Sequence, residues 1–485
     1  MSETPLESLP PAVLAPMVRE LQAALAGAAA RIAALEAELA SLRGGGRPPR
    51  KTAANSSLPP AKGWKARRPD PPPGTARPTR GPKPGHPGVT RARVPADQIQ
   101  VLPCRPPTCV HCGVDLPAES GVVVARRQVT ELPPVQPVVV EAQLWRVRCR
   151  RCGHGTVGAY PDGFGAAGAF GPRLVATAAL LHEEHHVAYA RLVEVFAGLF
   201  GLRVSEGALV EAVGRLGQAL VPAAAVIADE VRTAAVIGSD ETSARVDGVN
   251  WWEWVFQTAT AAYHTIQRRR NTEVVLSFLD GVQPSVWVSD LWKPQLNAPA
   301  VQYQICLAHQ LRDLRYAEQA ETGEVRAAAR AWAVAMATLL REAIHTRHQH
   351  EAAELDTSAY AAVVAGIEAG CDGLLAESLT YGWSYDLQTR YQVHRRGLLT
   401  FLHQAQVPPT NNASERSLRP SVVHRKVTGG FRSEAFAHGY AALRTVADTA
   451  RKRGQDVFTL LVATAGPCLP LNSHVTLAHP RPSGE

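Results

Sequence analysis

The segment 45–98 constrains the chain most strongly, because it cannot contribute to a hydrophobic core. It contains "RPPRKTAANSSLPPAKGWKARRPDPPPGTARPTRGPKPGHPG" and is dominated by Pro, Gly and basic residues. Such a composition predicts an extended, basic linker. The linker divides a chain of 485 residues, and a chain of that length already predicts several domains.

The segment before the linker, 1–44, predicts a coiled coil. Apolar residues recur with a heptad period and end at a "GGG" helix stop. β-branched residues at two of the four a positions and mostly Leu at d favour a parallel dimer, although an amphipathic helix packed on its own protein is the alternative. The a positions are Val18, Leu25, Ile32 and Leu39, and the d positions are Leu21, Ala28, Leu35 and Leu42.

The charge distribution indicates a nucleic-acid partner. The formal charge is +8 for the whole chain and +12 for residues 43–93, which leaves −4 elsewhere. A basic block of this kind binds nucleic acid through counterion release, although a merely soluble linker has the same composition. The start "MSETPLESLP" lacks the features of a signal peptide. No apolar run is expected to reach the roughly 18 residues of a membrane span, so we expect a cytosolic protein without disulfides.

Two cysteine pairs predict a zinc-binding ribbon over 99–165. The sequences "CVHC" and "CRRC" are separated by 36 residues, with strand-like segments between them, and a Gly follows each pair. Two such turns can close a tetrahedral zinc site. The predicted zinc ligands are Cys109, Cys112, Cys149 and Cys152; the less favoured substitutes are Cys104, His111 and His154. Arginines 146, 148, 150 and 151 either meet phosphates or form a solvated face.

The segment 166–232 predicts helices. Within it, "ARLVEVFAGLFGLRVSEGALVEAVGRL" has the outline of a helix, a Gly turn, an N-cap at Ser205 and a second helix. This outline suits a DNA-binding helix-turn-helix. A plain helical hairpin is an equally good interpretation, because the sequence does not identify residues that reach bases.

The segment 233–465 predicts a mixed α/β domain. Strands are expected at "AAVIGSD", "WWEWVFQTAT", "AYHTIQRRR", "SVWVSD" and "VQYQIC", with a helix at "TEVVLSFLDG". A helical region of about 307–402 follows, then a further helix around "NNASERSLRP" and a final one. The Pro-rich end, 466–485, is predicted to be a disordered tail.

Two aspartates, Asp240 and Asp290, are expected at the carboxyl ends of buried strands. A carboxylate in such a place is costly unless it binds a cation or hydrogen-bond donors. Two of them in one sheet suit a two-metal site whose third acid comes from a helix. Glu415 is the candidate, with Asn411 and Asn412 predicted to cap its helix. An Asp also commonly ends a strand as a turn residue, and Glu415 could simply pair with Arg419 on a helix surface.

The blocks "GSDET", "CLAHQLRDLRYA" and "NNASERSLRP…HRKVTGGFRS" together resemble the transposases of the insertion sequence 66 family, a DDE-type group. The order of coiled coil, "NSSLPP" and "GPKPGHPG" linker, cysteine pairs and helical region is also similar to that family. The resemblance implies a ribonuclease H-like α/β catalytic core with a helical insertion. In that core the first acid lies on the first strand, the second follows the fourth, and the third lies on a helix beyond the insertion.

Carried over residue by residue, the resemblance implies that Asp240, Asp290 and Glu415 are the catalytic acids and bind two Mg²⁺ or Mn²⁺ ions. Asp290 departs from the family, which continues with Gly-Tyr where this chain has "SDLWKPQL". Asp280 in "FLDG" is its competitor. The CxxH of Cys306 and His309 supplies candidate auxiliary residues, of which His309 either positions a phosphate or caps a helix. The residues expected to hold the DNA backbone are Arg416, Arg419, Arg425 and Lys426.

The function implied is that of a bacterial DNA transposase, which nicks transposon ends and joins their 3′ ends to target DNA. Its partners would be terminal repeats, target DNA, a second copy paired through the coiled coil, and accessory transposition proteins. We expect it in the cytoplasm, at the nucleoid. Two alternatives stay open: a non-catalytic DNA-binding regulator derived from a transposase, and a ribonuclease H-like nuclease without strand transfer.

Overall fold

A computed structural model describes residues 49–52, 55, 92–119, 121–164, 169–380 and 382–467, together with isolated helical positions between 16 and 32. Three of the predicted a positions, Val18, Leu25 and Ile32, are helical and exposed. The rest of the predicted coiled coil, most of the linker and the tail from 468 onward lie outside the described residues. The chain forms two compact units, Ala66–Pro137 and the remainder, and each is described by itself.

The larger unit contains two sheets. A short antiparallel hairpin pairs β1 (Arg146–Arg148) with β2 (Gly155–Val157). The main sheet has five strands in the order β5-β4-β3-β6-β7. Its strands are β3 (Val236–Val246), β4 (Val249–Gln257), β5 (Ala262–Gln267), β6 (Val286–Ser289) and β7 (Gln302–Ile305).

The main sheet is antiparallel on one side and parallel on the other. Strands β3, β4 and β5 form an antiparallel meander, whereas β6 and β7 run parallel to β3. The β3–β6 crossover passes through a helix, as parallel pairing requires. The five predicted strands are therefore formed, and the fold is mixed α/β.

Fifteen α-helices are present in the described part of the larger unit. They are α1 (Pro172–Ala179), α2 (Tyr189–Phe200), α3 (Glu206–Ala219), α4 (Val221–Arg232), α5 (Thr272–Leu279), α6 (Lys293–Leu296), α7 (Leu307–Ala320), α8 (Ala327–Glu351), α9 (Thr357–Ala376), α10 (Trp383–Val393), α11 (Arg395–Leu398), α12 (Thr400–His403), α13 (Asn412–Thr428), α14 (Glu434–Lys452) and α15 (Val457–Ala465). Helices α7 to α12 form the predicted helical insertion.

Of the four hydrophobic clusters among the described residues, the two largest form the main cores on the sheet. In the first, α1–α4, α14 and α15 pack with sheet residues such as Ile237, Trp254 and Trp287. In the second, the insertion packs on Val286 and Val288 of β6. Alternate residues of β6 thus point into different cores, as the strand period dictates. The helices of segment 166–232 share a core with the sheet that follows them.

The helix-turn-helix outline is present at α2 and α3. Gly201 ends α2 in the left-handed conformation, and the Ser205 side chain accepts a hydrogen bond from the Ala208 N–H at the start of α3. The cap is the one that the sequence predicts. The geometry of this pair fits the DNA-binding interpretation and the plain hairpin equally.

Helix α9 corrects one expectation. It has the length and apolar composition of a membrane span, and α3 and α4 taken together pass the same test. One face of α9 is buried in the second core. Its two acids, Glu368 and Asp372, both pair with Arg395. These are the contacts of a helix packed inside a folded domain.

The strands predicted between the cysteine pairs are formed only at β1, Arg146–Arg148, in the second of the two predicted segments. Described residues from 121 to 145 are outside strands and largely exposed. Val-rich runs favour strands only where a neighbouring strand supplies hydrogen bonds and cover, and this segment has none among the described residues. The β-structure around the cysteines is limited to the β1–β2 hairpin and one bridge, Thr108 to Asp115.

Candidate active site

Asp240 and Asp290 lie side by side on neighbouring parallel strands. Gly238 of β3 is paired with Val288 of β6, and each Asp follows two residues later. Neighbouring strands are about 4.8 Å apart, so the register brings the two carboxylates to one place on the sheet. The Glu241 N–H donates to Asp240 Oδ1 at 2.9 Å, and the Trp292 N–H donates to Asp290 Oδ1 at 3.0 Å.

The expectation that Asp240 ends its strand is wrong. β3 continues to Val246 because its antiparallel pairing with β4 extends over the whole length of the strand. The parallel neighbour β6 ends at Ser289. Beside Asp240, the sheet therefore lacks a paired strand on the β6 side only. Asp290 directly follows β6, as expected. Asp280 ends α5 in the left-handed conformation, the turn position that the sequence indicates.

Glu415 lies in the first turn of α13, and Asn411 attaches that turn to β3. The Asn411 side chain does not cap the helix as predicted. Its Nδ2 donates to the Ser239 carbonyl at 2.6 Å, and its Oδ1 accepts from Ser414 Oγ at 2.6 Å. The amide oxygen thus accepts from the Ser414 hydroxyl instead of a backbone N–H of the first turn, and the amide nitrogen donates to the sheet. This hydrogen bond fixes the start of α13 on Ser239, the residue before Asp240.

Glu415 contacts α7 rather than its own helix. Its Oε1 lies 3.6 Å from His309 Nε2 and 3.6 Å from Arg312 Nη2. No ion pair joins it to Arg419 among the described residues. Glu415 Oε1, Arg312 Nη2 and His309 Nδ1 are buried and lack a hydrogen-bond partner in this part of the chain. Buried polar atoms normally have partners, so these fit a site completed by an ion, water or substrate.

The acids interact electrostatically. Burial raises the pKa of Asp240 well above its usual range, and the charges of Glu241, Asp290 and Glu415 raise it further. Carboxylates that share a site repel unless a proton or a cation lies between them. The donor set of carboxylate oxygens is the one that Mg²⁺ and Mn²⁺ prefer. The residues present therefore fit divalent ions of this class.

Glu241 is a buried acid that the sequence analysis did not single out. Burial raises its pKa, while hydrogen bonds from Arg270 and Gln295 lower it. Arg270 Nη2 lies 2.8 Å from Glu241 Oε1, and its guanidinium stacks on Trp252 and Trp292. Adjacent residues of a strand point to opposite faces of the sheet. This alternation was the available signal that Glu241 and Asp240 differ in role.

Cys306 and His309 begin α7 beside Glu415. The Cys306 thiol is buried, which raises its pKa, and it accepts from the Asn411 N–H at 3.1 Å. Burial and then Arg312 lower the pKa of His309, so its ring is neutral at pH 7. The ligand atoms of Cys306, His309 and Glu415 lie within 4.8 Å of one another.

The basic residues around Glu415 are mostly exposed. Arg416 and Arg419 are exposed on the first turns of α13, and Lys426 is exposed near its end. Arg425 is half-buried and its Nη1 donates to Ser243 Oγ at 2.9 Å. Arg416 and Arg419, three residues apart, lie on one side of the helix.

Each cysteine pair forms a tight turn. The Gly113 N–H donates to the Cys109 carbonyl and the Gly153 N–H to the Cys149 carbonyl, both at 2.8 Å, and both glycines have φ of 74°. Backbone N–H groups, first that of the second cysteine in each pair, lower the pKa of the Cys109 and Cys149 thiols. The turns favour thiolates, the form that binds zinc. The pairs fall in different units, and the shared zinc ion stays a prediction.

Comparison with known proteins gives one finding. A family model described as "Transposase IS66 family" matches residues 167–439. The match covers more than half of the chain, begins after the cysteine pairs and includes Asp240, Asp290 and Glu415. No curated protein matches the chain.

Proposed function

The chain belongs to the IS66 family of transposases, and on that premise we propose that it nicks transposon ends and joins their 3′ ends to target DNA by two-metal phosphoryl transfer. Asp240, Asp290 and Glu415 are the proposed ligands of two Mg²⁺ or Mn²⁺ ions. The observation that carries the proposal is geometric. The register of β3 and β6 brings Asp240 beside Asp290, and Asn411 holds the start of α13, which carries Glu415, on the Ser239 carbonyl next to Asp240.

Ions held by these three acids would supply Lewis-acid chemistry for the attacking and leaving oxygens of an in-line displacement. The protein's own side chains would hold the acids in place and neutralise their charge. Asn411 fixes the start of α13, and hence Glu415, on β3. His309, neutral at pH 7, offers a hydrogen bond to a phosphate oxygen or a water. Arg312 supplies a positive charge next to Glu415.

The DNA backbone is proposed to lie along the exposed side of α13. Arg416 and Arg419 lie next to Glu415, and Lys426 and Arg425 extend the positive charge along the helix. Guanidinium groups bind phosphates by paired, charge-assisted hydrogen bonds. Such contacts position DNA without reading its sequence.

The proposed fold of the catalytic domain is ribonuclease H-like. Support comes from Asp240 on the first strand of the main sheet, Asp290 directly after the fourth, and Glu415 beyond the helices of the insertion. The linker, the cysteine-pair segment and the helical region are proposed to bind terminal repeats at the nucleoid. The coiled coil is proposed to pair subunits, so that two ends are held together.

The test measures nicking and strand transfer on DNA that carries both ends of the element, with Mg²⁺. Asp240→Asn, Asp290→Asn and Glu415→Gln should each lower the rate by about a hundred-fold or more, the effect of losing one transition-state group. Asp280→Asn is the matched control, because it removes a carboxylate from the turn after α5 and should leave the rate unchanged. Wild-type rates in any of the three variants would remove that residue from the mechanism.

The same assay separates the alternatives. A regulator would bind the ends and leave them intact, with wild type and all four variants equally inactive. A nuclease without strand transfer would release cut DNA and no joined product.

A further inference from the structure

Two histidines and a glutamate form a buried cluster away from the carboxylates. His182 and Glu183 lie on a π-helical turn, Leu180–Glu184, and His424 lies on α13. Glu183 Oε1 is 4.0 Å from His182 Nε2, and Glu183 Oε2 is 3.8 Å from His424 Nδ1. The three residues are 5%, 8% and 3% exposed, and their ligand atoms all lie within 4.8 Å of one another.

The atoms that face each other are unsatisfied. Glu183 Oε2 and His424 Nδ1 are buried without a hydrogen-bond partner in the described part of the chain. His182 Nδ1 lies 2.8 Å from the Val187 carbonyl, so this nitrogen donates and Nε2 carries its lone pair toward Glu183. A carbonyl on the far ring nitrogen is the arrangement that orients metal-binding histidines.

The surroundings are aromatic, and the local backbone is unusual. His182 stacks on Tyr189, and His424 packs against Phe431 and Tyr440. The π-helical turn is followed by His186, a residue without glycine's freedom at a φ of 59°. π-helical turns and such conformations recur at functional sites. Burial raises the pKa of Glu183 to about 8, and a buried acid in an aromatic pocket carries its charge at low cost only when a cation accompanies it.

We infer that His182, Glu183 and His424 bind one divalent transition-metal ion, best matched by Zn²⁺. Two imidazole nitrogens and one carboxylate oxygen are a ligand set that zinc accepts, with the fourth position left to water. Bonds of 2.0–2.1 Å place tetrahedral ligands about 3.3 Å apart. The two separations between Glu183 and the histidines, 4.0 and 3.8 Å, need to close by less than about 1 Å. The two imidazole nitrogens, which lie within 4.8 Å of each other, need to close by at most about 1.5 Å. Mg²⁺ fits poorly because it prefers oxygen ligands.

The ion would join two parts of the larger unit. His424 is nine residues beyond Glu415 on α13, about 13 Å along the helix, so this site is separate from the carboxylates. Glu183 and His182 belong to the segment that leads into α2 and α3. A bound ion would therefore tie the helices of segment 166–232 to the helix that carries Glu415.

The experiment counts zinc ions in the full chain. Wild type, His182→Asn, Glu183→Gln and His424→Asn are stripped with a chelator, reloaded with Zn²⁺ and analysed for metal per chain. The matched control is His185→Asn, a change at an exposed histidine one residue beyond the π-helical turn. All five proteins keep the two cysteine pairs and the three acids Asp240, Asp290 and Glu415. Wild type and control should hold one zinc more than each of the other three.

Thermal unfolding supplies the second readout. Added Zn²⁺ should raise the unfolding temperature of wild type and control more than that of the three ligand variants. Glu183→Gln keeps the side-chain shape and removes a buried acid, so it folds without metal and still loses the ion. Equal zinc counts in wild type and Glu183→Gln would overturn the inference. No DNA or Mg²⁺ is present, so the result is independent of transposition.

Discussion

His264 is fully buried between two acids and illustrates how individual residues fix the helices on the sheet. Its Nδ1 lies 2.9 Å from Glu253 Oε1 and its Nε2 lies 3.0 Å from Asp448 Oδ2. Asp448 is in turn paired with Arg444 at 2.7 Å. Burial lowers the pKa of His264, but its hydrogen bonds with Asp448 and Glu253 outweigh burial and raise it above the usual value. The two acids therefore favour the imidazolium form of the ring more than water does.

This network predicts a pH-dependent stability. The folded-state pKa of His264 is raised, so its contribution is complete below the unfolded value of about 6.5 and is lost as pH rises through the folded value. His264→Asn should cost about 3–5 kcal/mol at pH 6, the cost of breaking a buried pair, and less at pH 9. Thermal unfolding at the two pH values measures this. The control, His438→Asn on the exposed side of α14, should have the same small effect at both.

At the residue scale, the sequence predicted the places of the acidic residues better than the hydrogen-bond partners of side chains. Asp240 and Asp290 were recognisable because each comes shortly after a run of apolar residues in a strand. The partners of Glu241 were not, since Arg270 and Gln295 are 29 and 54 residues away in the chain. Asn411 was assigned to a local cap because Asn favours that position. The backbone acceptor that it uses instead is created only by tertiary packing.

Asn411 also yields a prediction at the residue scale. Asn411→Ala removes the hydrogen bond to the Ser239 carbonyl and leaves buried polar groups unpaired, at a cost of about 1–3 kcal/mol. The start of α13 should shift, so we expect kcat for strand transfer to fall by about ten-fold or more with little change in KM. Asn412→Ala, at the next and less buried position, is the control. Equal kcat in both variants would contradict the positioning role.

Among the elements, α3 and α14 approach closely where two glycines meet. A Cβ added at Gly217 would lie 3.0 Å from backbone atoms of Gly439, which cannot move as a side chain can. Gly217→Ala should therefore separate the helices and destabilise the protein by about 1–3 kcal/mol. Gly207→Ala in the same helix meets open space and should leave stability unchanged or slightly higher. Thermal unfolding of the pair tests the crossing, and equal melting temperatures would contradict it.

The elements that the sequence predicted well are those with a buried face. The strands β3 to β7 and the helical insertion have apolar runs that the cores absorb. Outside β1, the strand predictions between the cysteine pairs failed because Val-rich segments such as 122–124 and 138–140 have strand propensity but no paired strand among the described residues. Strand formation depends on the neighbouring strand, and the sequence of one segment does not contain that information.

At the scale of the whole molecule, the candidate active site depends on both main hydrophobic cores. Asp240 and Asp290 are on a sheet packed against α14 and the helices of segment 166–232, whereas Glu415 contacts α7 of the insertion. From the sequence, segments 166–232 and 233–465 were predicted as separate parts of the chain. Their shared core could not be read from the sequence, because apolar periodicity identifies a buried face without identifying what covers it.

The uneven charge of the chain predicts how DNA binding responds to salt. Each phosphate contact adds about 0.9 to the slope of log K against log salt, and residues 43–93 carry a formal +12. Replacing three of these basic residues with Gln should reduce the slope by up to about 2.7 if each meets a phosphate. The residues for the substitution are Lys65, Arg67 and Arg68.

The matched control removes the same charge from the helical insertion. It replaces three exposed arginines with Gln, namely Arg330, Arg341 and Arg396. Binding to a fixed duplex is measured by fluorescence anisotropy over a series of salt concentrations. If DNA follows the basic segment, only the first variant changes the slope. Equal slopes in both variants and wild type would show that the basic segment is a solvated linker, and that the DNA contacts must come from the folded units.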